Sequence, residues 1–263
     1  MPLTLHTIDA FTDKPFAGNP AGVCVIERAL PDELMQQIAA EMNLSETAFI
    51  FPEEDGYRLR WFTPTVEVSL CGHATLASAH FLFESGRLQS NAVAQFHTRS
   101  GRLTARRVGD KIELDFPALR VSPAVFPQNA IPMLGATPVS YSSSADWQLA
   151  ELESEQAVRD LSPDIHALHS LGLGHLIVTA KATTPGLDIV SRVFVPESGI
   201  DEDPVTGSAH CALAPYWSPK LQKTTLSAYQ ASRRGGYLEV EDCGERVLLR
   251  GQAVTVMDIE LRI

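Results

Sequence analysis

Apolar residues recur at Leu3, Leu5 and Ile8, which predicts a half-buried strand over Leu3–Ala10. A run of breakers follows, Pro15-Phe16-Ala17-Gly18-Asn19-Pro20-Ala21-Gly22, and Val23–Ile26 reads as the second strand. Pro31 suits the first turn of a helix, and Leu34, Ile38 and Met42 stand at i, i+4 and i+8, predicting a helix to Met42. Asn43–Glu46 ends it, and Thr47–Phe51 reads as a buried strand. Tyr57–Phe62 alternates as another strand, closed by Thr63-Pro64. Gly72–Phe83 is rich in Ala and Leu and predicts a helix that stops near Gly86. Ala92–His97 and Arg102–Phe116 read as strands, the latter a hairpin around Gly109-Asp110. Pro117–Pro138 holds more breakers and no period, so a linker is expected near 117–124.

The second half repeats the plan of the first. At an offset of 135, Gly72, Ala74, Ala77 and Ala79 meet Gly207, Ala209, Ala212 and Ala214. Gln95 and Arg99 meet Gln230 and Arg234, and Gly101, Leu103, Gly109 and Leu114 meet Gly236, Leu238, Gly244 and Leu249. These are ten identities in 43 positions, where unrelated segments of average composition give about two or three. Upstream, at an offset of 132, Arg60, Phe62 and Pro64 meet Arg192, Phe194 and Pro196. Two domains are therefore expected, 1–120 and 121–263. The closing strand Ala253–Ile263 is one that the first domain can also accept.

Composition narrows the function. The 263 residues are 44% hydrophobic and 20% charged, which excludes disorder, and carry a net charge of −11. That acid excess argues against nucleic acid and against an anionic membrane surface. It leaves a small anion open, because local dipoles override net charge. No apolar run approaches the ~18 residues of a membrane span, and the first residues lack the regions of a signal peptide. Cys24, Cys71, Cys211 and Cys243 form no C-x-x-C and suit no zinc site, so free thiols in a cytoplasmic protein are expected, with no metal. Nucleotide-loop, zinc-hydrolase and nucleophile-elbow motifs are absent from the sequence.

Candidate chemistry gathers at the two glycine helices. A helix N-terminus offers unpaired N–H groups and about half a positive charge, and two of them facing a shared cleft would trap a carboxylate. Glycine at Gly72 and Gly207 would let a ligand approach the backbone. The next residues, His73 and Ser208, are polar at equivalent positions, where capping and packing are the alternatives to ligand binding. Glu46 borders the apolar run Ala48–Phe51. It reads either as a solvated loop glutamate or as a half-buried proton carrier. Asp203 ends the acidic run Asp201-Glu202-Asp203, which suits a solvated loop or a favourably anionic first turn, or else an acid that orients an imidazole such as His73 or holds a substrate amine.

Five segments resemble the phenazine-biosynthesis PhzF-like isomerases. They are Phe16–Val23, Asn43–Phe49, Arg60–Pro64, Leu70–Thr75 and Asp203–Ala209, in the family's order and spanning nearly the whole chain. The resemblance implies an α/β fold like diaminopimelate epimerase, with two similar domains, each a curled mixed sheet around a central helix. It implies a cofactor-free active site at the domain interface and a homodimer. Glu46 would be the general acid/base, with His73 and Asp203 assisting. Gly72, Gly207 and Ser208 would hold the carboxylate of a small-molecule substrate. Related epimerases use two facing cysteines. Cys71 fits one such position, but the partner position is Pro204, so a two-thiol racemase is not expected and Cys71 reads as a small packed residue. The leading expectation is a cofactor-independent isomerase. A single-base epimerase or racemase and a catalytically silent metabolite-binding protein stay open beside it.

Overall fold

A computed structural model describes residues 3–262. The chain divides into two compact units, one of residues 1–116 and 248–263, the other of 117–247. In chain order the first unit contributes β1 (Leu3–Ala10), β2 (Asn19–Val25), α1 (Asp32–Met42), β3 (Glu46–Glu53), β4 (Gly56–Phe62), β5 (Glu67–Val68), α2 (Gly72–Glu84), β6 (Val93–Thr98), β7 (Gly101–Val108) and β8 (Lys111–Pro117). The second contributes β9 (Ser122–Pro123), α3 (Ile131–Leu134), β10 (Ser140–Ser143), β11 (Gln148–Glu151), α4 (Glu155–Asp160), α5 (Ile165–Ser170), β12 (Leu176–Lys181), β13 (Ile189–Val195), β14 (Ile200–Asp203), α6 (Gly207–Leu221), β15 (Thr225–Gln230) and β16 (Gly236–Asp242). β17 (Arg246–Gly251) carries the chain back, and β18 (Ala253–Leu261) pairs with β1.

Strand pairing follows one recipe twice. In the first unit β18, β1 and β2 pair antiparallel in turn, β2 and β3 run parallel, β3 and β4 antiparallel, β4 and β6 parallel, and β6 and β7 antiparallel. In the second unit β9, β10, β11, β12, β13, β15 and β16 take the same places with the same directions. The short strands β5 and β14 lie antiparallel on β4 and β13.

Each unit is a mixed sheet with helices on it. α2 is buried almost all round and touches β1, β2, β3 and β18. Its small residues Ala74, Ala77, Ser78 and Ala79 allow this close approach, and a helix apolar on every side belongs inside. α1 instead buries one stripe, Met35, Ile38 and Ala39, against Leu5, Phe49 and Phe62. In the second unit Val158 of α4 and Leu168 of α5 close a cluster with Leu176, Val178, Val190 and Phe194.

Some boundaries differ from the pattern-based reading, and each has a reason. β2 begins at Asn19, inside the breaker run, where Pro20 pairs with Asp9. Gly22 is needed in that strand for packing, since a Cβ there would lie 2.9 Å from Thr47 Oγ1. Pro31 is the cap before α1 rather than its first residue. Glu46 is the first residue of β3, not the end of a loop. The 117–138 stretch contains β9 and the short α3.

The repeat is real in geometry but shifts register within itself. Tyr57 pairs with Phe96 where Ile189 pairs with Ala228, so β6 and β15 correspond at an offset of 132. Thr98 pairs with Gly101 where Gln230 pairs with Gly236, which restores 135 for β7 and β16. Gln95 and Arg99 are therefore not the counterparts of Gln230 and Arg234. A comparison without gaps cannot register a shorter loop before β15 that is offset by a longer turn after it.

Candidate active site

Glu46 opens β3 with its backbone opposite Ala21 of β2. Its side chain is half-buried, and Oε2 lies 3.3 Å from Nε2 of His73. His73 is the second residue of α2. The cap residue before that helix is Cys71, whose extended backbone (φ −147°, ψ 121°) turns Sγ to within 3.5 Å of His73 Nδ1. Thr75 donates its hydroxyl back to the Cys71 carbonyl. The Cys71 side chain makes no cap hydrogen bond, and the N–H groups of a helix's first turn, here Gly72 and His73, have no partner within the helix. The imidazole thus sits between a thiol and a carboxylate, one at each ring nitrogen.

Burial lowers the His73 pKa from 6.5 to about 3, so the ring is neutral near pH 7. The Glu46 carboxylate would act in the opposite sense, and burial outweighs it. Nε2 is buried and makes no aligned hydrogen bond. Glu46, Cys71 and His73 are also a trio whose possible ligand atoms all lie within 4.8 Å.

Asp203, Gly207 and Ser208 come together in the second unit. Asp203 ends β14, is buried, and accepts a hydrogen bond from the Thr206 hydroxyl through Oδ2 at 2.5 Å. Gln230, from the end of β15, clamps this turn: Nε2 donates to the Asp203 carbonyl at 2.7 Å, and Oε1 accepts from the Thr206 N–H at 2.9 Å. The turn after Gln230 adds a second hold, with Ser232 Oγ donating to the Pro204 carbonyl at 2.7 Å. α6 then starts at Gly207 with Ser208 half-buried on its first turn. His210 Nδ1 meets the Thr206 carbonyl at 2.8 Å, the counterpart of Thr75 bonding to Cys71. The counterpart of Cys71 is therefore Thr206 rather than Pro204, and that position too lacks a thiol.

Sequence reasoning missed two features. One is the Gln230 clamp, which appeared only as a repeat identity. The other is a duplicated ion pair. Arg60 grips Glu67 through Nε at 2.8 Å and Nη2 at 2.7 Å, and Arg192 grips Glu202 at 2.7 and 2.9 Å. Each guanidinium lies 5.1 Å over the ring of Phe62 or Phe194. Glu202 is thus a structural partner, not a solvated acid.

The profile of the phenazine biosynthesis-like protein family matches residues 8–259. The chain belongs to that family. It is 48% identical over 262 residues to an uncharacterized isomerase of Halalkalibacterium halodurans, covering 99% of both chains. It is 49% identical over 263 residues to an uncharacterized isomerase of Pseudomonas aeruginosa, covering 100% of both. The crystal structure of a PhzF-family protein from Enterococcus faecalis superposes with a TM-score of 0.95 at 41% identity, over 100% of both chains. A hydroxyproline epimerase from Agrobacterium vitis matches with a TM-score of 0.66 at 10% identity, over 99% of this chain and 92% of that one, which shows the shared fold alone. The fold is diaminopimelate epimerase-like, and the coarse class is an isomerase of the phenazine biosynthesis-like family. Among the described residues, no helix is long and apolar enough to cross a membrane.

Proposed function

We propose that this family member moves a proton within a small carboxylic acid, without a cofactor, and that Glu46 carries the proton. The observation behind this reading is the half-buried Glu46 carboxylate beside a neutral, buried His73 at the uncapped start of α2. Ionised Glu46 takes a proton from a carbon next to an activating group. The electron pair left behind delocalises into that group. Protonated Glu46 then returns the proton to a different carbon, and the carboxylate is regenerated. The developing negative charge is stabilised by the N–H groups of Gly72 and His73, which need no reorganisation. Neutral His73 can donate one hydrogen bond without placing a competing charge beside the base.

The test is solvent exchange. A panel of small ring- or amino-bearing carboxylic acids is incubated in deuterated water with wild type and with Glu46→Gln. Wild type is expected to incorporate deuterium into at least one of them, and Glu46→Gln to do so about 10²–10⁴-fold more slowly. Equal exchange by the two proteins would remove Glu46 from the proposed role.

A further inference from the structure

We propose that Cys71 is a positioning residue, its thiol donating to Nδ1 of His73 and so holding the ring with Nε2 toward the Glu46 carboxylate. The proposal deepens the reading of Glu46 as proton carrier and rests on it for its kinetic consequence only. A neutral imidazole has one N–H and one lone pair. On the Nε2 side stands a carboxylate oxygen at 3.3 Å, which when ionised can only accept. The two are not aligned as a hydrogen bond, but the negative charge at that distance favours the proton on Nε2, and Nδ1 then needs a donor. The group at Nδ1 is Cys71 Sγ at 3.5 Å, and both residues are buried.

The backbone makes this contact possible. Side chains two apart within a helix point in different directions. Cys71 escapes that rule because it is the extended residue before the helix, and Thr75 ties down its carbonyl. Nε2 has no aligned hydrogen bond of its own to fix the ring. The thiol contact thus sets the ring's orientation.

A cysteine that merely fills space makes the opposite forecast for substitution. Valine would then replace it well, and serine, smaller and more polar, would replace it poorly. A donor role ranks serine above valine. The experiment compares Cys71→Ser and Cys71→Val with wild type by two readouts. The first is the ¹⁵N resonance of His73 Nδ1 in the substrate-free protein, which needs no knowledge of the reaction. Wild type and Cys71→Ser are expected to show a hydrogen-bonded, unprotonated Nδ1, and Cys71→Val a displaced resonance. The second is deuterium exchange. Cys71→Val is expected to lose about tenfold in kcat with KM unchanged, and Cys71→Ser to stay within about threefold of wild type. A valine variant with wild-type Nδ1 resonance and kcat would overturn the proposal, as would a serine variant worse than valine. If no substrate exchanges with any of the three proteins, the reading of Glu46 fails, and the Nδ1 resonance still decides the role of Cys71.

Discussion

His73 and His210 are buried more deeply than a protonated imidazole tolerates. In the unfolded chain each takes up a proton near pH 6.5. Burial lowers that to about 3 for His73 and to about 4 for His210, where the Thr206 carbonyl opposes the shift only weakly. Between those values the unfolded state binds more protons than the folded one. The contribution of each ring is fully present above pH 6.5 and declines as pH falls toward 4, by about 1.4 kcal/mol per pH unit for each ring. His210 lies outside the proposed chemistry, so it isolates the effect. Urea unfolding of wild type and His210→Gln between pH 7 and pH 5 should show a shallower loss of stability in the variant. Parallel curves would mean that His210 takes up its proton over the same pH range in the folded and unfolded states.

At the scale of elements, the apolar pattern carried most of the fold. β1, the helix around Ala74–Ala79 and the hairpin at Gly109 follow directly from alternation, small-residue clustering and turn chemistry. Partners distant in sequence did not show. The acids 201–203 look like a solvated run, yet Glu202 is spoken for by Arg192 and Asp203 is buried. Cys71 and His73 look unrelated at a spacing of two, because only the cap's extended backbone brings them together. Arg192 joins β13 to β14, and its Nη1 also reaches the Leu161 carbonyl beyond α4. Removing the guanidinium leaves a part-buried carboxylate and a carbonyl without their donor. Arg192→Met is expected to cost about 2–3 kcal/mol in urea unfolding, and Glu202→Gln about 1 kcal/mol or less, since the amide still accepts. An Arg192→Met variant as stable as wild type would reduce the pair to an ordinary surface contact.

For the whole molecule, the repeated recipe has one asymmetry in chain order. β9 stands just before β10, whereas its counterpart β18 comes from the far end of the chain. The last strand is thus the outer neighbour of the first. It pairs from Leu3 opposite Leu261 to Ala10 opposite Ala253, with a bulge near Thr7 and Ile8. His6 holds Asp258 at 2.6 Å, and Thr255 donates to Glu84 at the end of α2. Deleting residues 253–263 would leave β1 with an unpaired edge, and an exposed edge is a template for wrong pairing. It would also uncover α2, the helix that carries His73. The expected result is selective. By hydrogen exchange with mass spectrometry, peptides of β1, β2 and α2 should lose protection, while those of β12, β13 and α6 keep theirs. Deuterium incorporation into substrate should be lost with them, because Glu46 and His73 both depend on strands and a helix of the first unit. Intact protection in β1 would show that β18 is an ornament on that sheet, and unchanged exchange activity would show that the site does not need it.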